Sequence, residues 1–132
     1  MTGFSRHENG EWVGGWELPM DPFLEYAEEY LIALVGCEVV VACENFLITV
    51  NTAKKSQGDR QWSLEQIGVL RHLCHKHGHG FELTTPSDAK TFCSNDKLRR
   101  AGFWTPGKGH ANDSARQIAM ALARRGIVVG MS

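Results

Sequence analysis

The chain has no run of eighteen or more apolar residues, and its N-terminus has no charged stretch leading into an apolar one. The first absence excludes a membrane-spanning helix and the second a secretory signal, so the expected compartment is the cytoplasm. The four cysteines, Cys37, Cys43, Cys74 and Cys93, lack CxxC spacing. That excludes a regular zinc finger or disulfide framework and points to reduced thiols filling a core. There is no internal repeat and no linker rich enough to divide the chain, so a single domain over residues 1–132 is expected. Basic residues are nearly missing from the first third. Residues 1–45 hold nine acids and one base, whereas residues 46–132 hold thirteen Lys/Arg and six Asp/Glu. The net charge of -1 argues against indiscriminate coating of nucleic acid, but the polarity along the chain suits a one-sided cationic face toward phosphates.

What is present reads as alternating strands and helices. His7-Glu8-Asn9-Gly10 lies between Phe4–Arg6 and Glu11–Trp16. Asn-Gly tolerates positive φ at both positions, which predicts an antiparallel hairpin. Asp21-Pro22 predicts a cap and first helical position, opening a helix with Phe23, Tyr26, Ala27, Tyr30, Leu31 and Leu34 at helical spacing and Gly36 at its end. Glu38 to Cys43 is a β-branched run that predicts a central strand covered on both faces, ending at Glu44-Asn45. Residues 51–61 read as a polar loop, and Ser63 with Gln66 as a capping box opening a helix to about His77. A strand is expected at Phe81–Thr84, a short helix from Pro86-Ser87-Asp88, another capped by Asn95-Asp96 and stopped by Gly102, and an Ala-rich helix from His110 to Arg125. Together these favour a mixed α/β sheet.

Three sets of residues can carry chemistry. Glu44 closes a buried strand, and in open α/β sheets ligands collect at the carboxyl ends of strands. A glutamate turned to solvent is the plainer reading. His110 and Asp113 stand three apart, hence on one face of a helix's first turn, where both can face one metal ion. The plainer reading is an acid complementing the helix dipole beside a histidine near the cap, and the face through Gln117 and Arg124 reads as solvated. The third set is cationic: Lys54, Lys55, Lys90, Lys97, Arg99, Arg100 and Lys108, with Trp62, Phe103 and Trp104 as stacking partners for unpaired bases or as core anchors. Cys74-His75-Lys76-His77-Gly78-His79 offers zinc-type ligands in no closed-site spacing and reads as a capped helix end.

Taken in order, Cys43-Glu44-Asn45, Pro86-Ser87-Asp88-Ala89-Lys90, Asn95-Asp96-Lys97 and Gly109-His110-Ala111-Asn112-Asp113-Ser114-Ala115 resemble the motifs of RuvC-type resolvases, RNase H-like nucleases, phage members above all. The resemblance spans nearly the whole chain. It implies an RNase H-like mixed sheet flanked by helices, with strand order 3-2-1-4-5. The family opens on a strand bearing an aspartate, followed by a Thr-Gly pair, whereas this chain opens Met1-Thr2-Gly3-Phe4-Ser5. The resemblance therefore implies that the central first strand is absent, leaving both neighbours short of hydrogen-bond partners. Each unpaired buried group costs ~1–3 kcal/mol, so the product is expected to be inactive and poorly folded unless an upstream start or another segment supplies the strand.

By the same resemblance Glu44, His110 and Asp113 are metal ligands for Mg²⁺ or Mn²⁺, with His110 as ligand or proton carrier, and Lys90 and Lys97 lie near the cut phosphate, Lys97 among the catalytic residues. The implied activity is structure-selective endonucleolytic resolution of four-way, or Holliday, junctions in DNA recombination, by a homodimer acting on branched DNA in a bacterial host's cytoplasm. The competing readings are a catalytically inactive nucleic-acid-binding protein of the same fold and a nuclease of RNA/DNA hybrids.

Overall fold

The computed structural model describes residues 1–44 and 57–127, and of Glu44, residues 57–63, Pro86 and Ser87 it describes the backbone. The chain divides into two compact units, Met1–Pro19 with Pro86–Ser132, and Met20–Thr85.

The first unit begins with strands β1 (Thr2–Glu8) and β2 (Glu11–Leu18), paired antiparallel from Thr2↔Leu18 to Glu8↔Glu11 with a register shift between Arg6 and His7. Asn9 and Gly10 turn the chain at φ of 52° and 83°, the left-handed pair that the Asn-Gly sequence predicts. Helices α3 (Pro86–Phe92), α4 (Asn95–Ala101) and α5 (Gly109–Arg124) complete the unit. The cap of α4 is Ser94, one residue before the predicted Asn95-Asp96; its hydroxyl accepts from the Lys97 amide, and Gly102 ends the helix at φ 81°. Helix α5 packs on β1 and β2, so closely at Gly3 that an added Cβ would lie 2.0 Å from the His110 carbonyl carbon. Ser5 and Ser114 hydroxyls hydrogen-bond at 2.9 Å one turn further along. The core gathers Cys93, Leu98, Phe103, Ala115 and Ala119, with Trp12, Ile118 and Leu122 packed against them.

The second unit consists of α1 (Met20–Ala33), β3 (Val40–Glu44), α2 (Gln57–His77) and β4 (Gly80–Thr84). Strands β3 and β4 are parallel, in register from Val40↔Gly80 to Glu44↔Thr84, the arrangement that an intervening helix imposes. Leu31, Leu73 and Cys74 form its core with Val39, Val41 and Phe81. His79, 8% exposed, bonds through Nε2 to the Leu31 carbonyl at 2.7 Å.

Three expectations are corrected here. Helix α1 starts at Met20, so Asp21 lies within its first turn instead of capping it. Helix α2 is already under way at Gln57, so Ser63 does not open it; the capping-box pattern is local, and a continuing backbone ladder overrides it. The run at 40–43 is not covered on both faces, since Val40 is 38% exposed and Val41, Ala42 and Cys43 are half-buried. Among the described residues, β3 and β4 form one two-stranded sheet and β1 and β2 another. The cysteines divide: Cys74 and Cys93 are core residues as expected, while Cys37 is exposed and Cys43 half-buried. No helix among the described residues is long and apolar enough to cross a membrane.

Candidate active site on helix α5

Helix α5 sets the geometry of the site. His110 is its second residue and is exposed, with its backbone N–H donating to Glu17 Oε2 at 3.2 Å. Glu17 is placed there by the hairpin, which pairs it with Gly3, and by the close approach of Gly3 to the His110 backbone. An acid at the positive end of a helix is favourable twice over, by hydrogen bond and by dipole. That role had been expected of Asp113, but the first turn of α5 contains no acid and Asp113 lies beyond it. Glu17 carries no motif; only strand pairing and helix packing bring it to the site, so sequence reasoning had no signal for it.

Asp113 is half-exposed, and its Oδ1 accepts from Arg116 Nη1 at 2.6 Å. Arg116 is buried, with its Nε donating to the Cys93 carbonyl at 3.0 Å and its Nη2 to Asn95 Oδ1. The predicted solvated face of α5 is corrected by Gln117, which is 3% exposed, although it sits one turn from Asp113. Burial follows from the packing of α5 on four elements, β1, β2, α3 and α4, a number that periodicity on one helix does not reveal. Asn112 is clamped to the preceding loop, accepting from the Thr105 amide at 2.8 Å and donating to the Thr105 carbonyl at 2.9 Å. These two hydrogen bonds tie the loop that leads into α5 to Asn112.

A cavity of about 470 Å³ opens beside these groups, lined by Lys90, Asn95, Trp104, Asn112, Asp113 and Arg116 among others. Cys93 also lines it; burial pushes its thiol up, and the charges of Arg116 and Lys97 pull it partly back. The cationic candidates separate. Lys90 is exposed at the cavity rim, while Lys97 turns its Nζ to the Phe92 carbonyl at 3.3 Å. Arg99 pairs with Asp96 at 3.2 Å and lies 4.3 Å above the Trp104 ring. Arg100 and Lys108 are exposed, Lys108 in the position just before α5; Lys54 and Lys55 lie outside the described residues. Phe103 is no base-stacking platform, since it is 4% exposed and stacked on Trp12 at 4.5 Å between centroids. Trp104 reaches the cavity; the Trp62 side chain lies outside the described residues.

Glu44 is the last residue of β3, at the carboxyl end of a parallel strand as its sequence context predicts, with its side chain outside the described residues. Among the described residues no three His, Cys, Asp or Glu side chains gather as a metal cage, which applies equally to the His75–His79 segment. Asp113 nevertheless retains an oxygen, Oδ2, with no partner among the described residues, on a carboxylate that borders the cavity. Carboxylate oxygen and imidazole are donors of the type that Mg²⁺ and Mn²⁺ accept. In the cavity lining, however, Asp113 is the one carboxylate and is already paired with Arg116, so the residues that border the cavity do not by themselves form a cage for such an ion.

The sequence matches no protein-family model and no curated protein. In fold, the chain is similar to Thermus thermophilus RuvC in complex with a Holliday junction substrate, with TM-score 0.51 and 15% identity over 87% of this chain and 81% of that one. It is similar also to the T. thermophilus RuvC structure, with TM-score 0.50 and 13% identity over 94% of this chain and 87% of the other. The fold is therefore RuvC-like: mixed α/β, with small sheets flanked by helices.

Proposed function

We propose that the chain is a RuvC-like, metal-dependent endonuclease acting on branched DNA, four-way junctions first. The observation that carries this reading is the start of α5. There Asp113, three residues after His110, lines a cavity with Lys90 at its rim, in a fold similar to a RuvC bound to junction DNA. His110 and Asp113 are the candidate ligands on α5 for Mg²⁺ or Mn²⁺, and Glu44 is the candidate carboxylate on β3; the ion, when bound, would activate water and stabilise the leaving oxygen of the phosphodiester. Asp113 would offer its unpartnered oxygen, and His110 would ligate or carry a proton. Lys90 at the rim would hold a phosphate by charge, and Lys97 would act near it through the positive field of its half-buried ammonium. A homodimer would then make the two nicks that a two-fold junction requires.

Mg²⁺-dependent nicking of a synthetic four-way junction, compared with flap and RNA/DNA hybrid, tests the reading. Loss of nicking in Glu44→Gln and Asp113→Asn supports it. Activity surviving both substitutions would remove the assigned site. One observation favours a second reading, a non-catalytic nucleic-acid-binding protein: the carboxylate of Asp113 is already paired with a cation, Arg116, and no three-ligand cluster stands among the described residues. Junction binding without nicking at any Mg²⁺ or Mn²⁺ concentration would establish that alternative.

A further inference from the structure

The cavity beside α5 presents hydrogen-bond donors that have nothing to give to. Lys90 at its rim is exposed, and its ammonium has no hydrogen bond or ion pair among the described residues. The Ser94 hydroxyl accepts from the Lys97 amide, which leaves its own proton to donate. Asn95 accepts from Arg116 through Oδ1, which leaves the Nδ2 protons to donate. Gly109 opens α5, where the first amides of a helix have no carbonyl within the helix to meet. Arg116 is the buried charge of the lining, 8% exposed and held by the Cys93 carbonyl, Asn95 and Asp113. It neutralises Asp113, so the uncompensated charge of the lining is that of Lys90.

A lining of this kind suits a ligand rich in acceptors and negative in charge. We propose that the cavity is an anion site that takes a nucleoside phosphate without a divalent ion. The phosphate meets Lys90, Ser94, Asn95 and the Gly109 amide, the base lies against Trp104, and a sugar hydroxyl donates to Asp113 Oδ2. A volume of about 470 Å³ falls within the range of small-molecule pockets, ~300–1,000 Å³, and leaves room for more than a bare phosphate. Trp104 supplies the aromatic surface on which any base can stack; Arg99, 4.3 Å from the centre of its ring, is not part of the lining. The phosphate arrives on a free nucleotide or at the end of a strand, since both carry the same groups. The inference extends the phosphate contact given to Lys90 above and rests on that nucleic-acid reading, not on a metal ion or on nicking.

The test is calorimetric titration of the full chain in EDTA with dTMP, inorganic phosphate and a short 5′-phosphorylated oligothymidylate. dTMP should bind, and about tenfold more tightly than inorganic phosphate, the gain expected of one stacked base. Lys90→Glu should weaken dTMP binding about tenfold or more, and Lys90→Arg should restore it. Lys76→Glu, the same charge reversal at an exposed site on α2, should leave it unchanged. Far-UV circular dichroism establishes that each variant is folded. In wild type, dTMP should also protect Lys90 and not Lys76 from amine acylation read by mass spectrometry, a measurement that needs no variant. Oligothymidylate binding at least as tightly as dTMP supports the site as one for strand ends, and dTMP binding alone supports it as one for free nucleotides. No dTMP binding in EDTA, binding that needs Mg²⁺, equal affinity for phosphate and dTMP, or equal losses in Lys76→Glu and Lys90→Glu overturns the proposal. Junction nicking measured on the same protein separates the two readings: nicking without dTMP binding overturns this site and leaves the nuclease, and dTMP binding without nicking does the reverse.

Discussion

The two units bury different kinds of side chain. The hairpin unit encloses Asn112, Arg116 and Gln117 at 3%, 8% and 3% exposure beside Leu98 and Phe103, whereas the β3–β4 unit closes on Leu31, Leu73 and Cys74, with His79 and Thr84 as its buried polar side chains among the described residues. Buried polar groups cost free energy unless satisfied. A unit that carries several, one of them charged, is organised around holding groups in place. The β3–β4 unit has the character of a scaffold, presenting Glu44 at the end of a strand.

The largest effects should come from the apolar cores. Leu98, fully buried, and Leu73, 7% exposed, are the matched probes. Each Leu→Ala change is expected to lower stability by about 2–5 kcal/mol, Leu98 more. Urea unfolding followed by tryptophan fluorescence and by circular dichroism checks it. Coincident transitions in both variants would show one cooperative unit, and split transitions would show that the two units unfold separately. Next comes Gly3→Ala. A methyl group at 2.0 Å from the His110 carbonyl carbon meets backbone, not a flexible side-chain end, so α5 must move off β1 at a cost of about 1–3 kcal/mol or more. Junction nicking should fall with it, because His110 and Asp113 move together.

Asp113→Asn should cost about 1–3 kcal/mol, since it leaves the buried Arg116 charge uncompensated while the partner site is half-exposed. Thermal unfolding measures it. A purely ligating carboxylate would give no loss of stability on neutralisation, so an unchanged or raised midpoint would erase the contrast between the units. The thiols give a smaller effect. Burial pushes Cys74 and Cys93 above the usual thiol range, and at Cys93 the neighbouring Arg116 and Lys97 offset part of the rise. A raised folded value favours the protonated thiol. Its contribution is therefore fully present below about pH 8.5, where an unfolded thiol ionises, and is lost as pH rises through the folded values. Melting midpoints should decline above that pH, and Cys74→Ala should flatten the decline more than Cys93→Ala. The smallest stability change is expected for His110→Ala, within about 0.5 kcal/mol because the side chain is exposed, while nicking is lost.

How much of this was legible beforehand follows from the range of each interaction. The Asn9-Gly10 turn, the stop at Gly102, the strand at 80–84 and the extent of α5 were readable, because φ preferences, caps and periodicity act over a few residues. Glu44 at the end of its strand was readable for the same reason. The capping box at Ser63 misled, since a local signal cannot announce that the helix has already begun at Gln57. The amphipathic reading of α5 failed at Gln117, because how many elements surround a helix is not encoded in that helix.

The sequence by itself determined the alternation of elements and the His110-x-x-Asp113 spacing, through backbone preferences that neighbouring residues satisfy between themselves. Tertiary structure decided the rest: that Glu17 meets the His110 amide across ninety-three positions, and that Arg116 joins Asp113 to Asn95 and Cys93. Those contacts depend on where helix α5 comes to rest against β1. That position is fixed by the absent side chain of Gly3 and by the packing of Ala115, Ala119 and Leu98, not by any local rule.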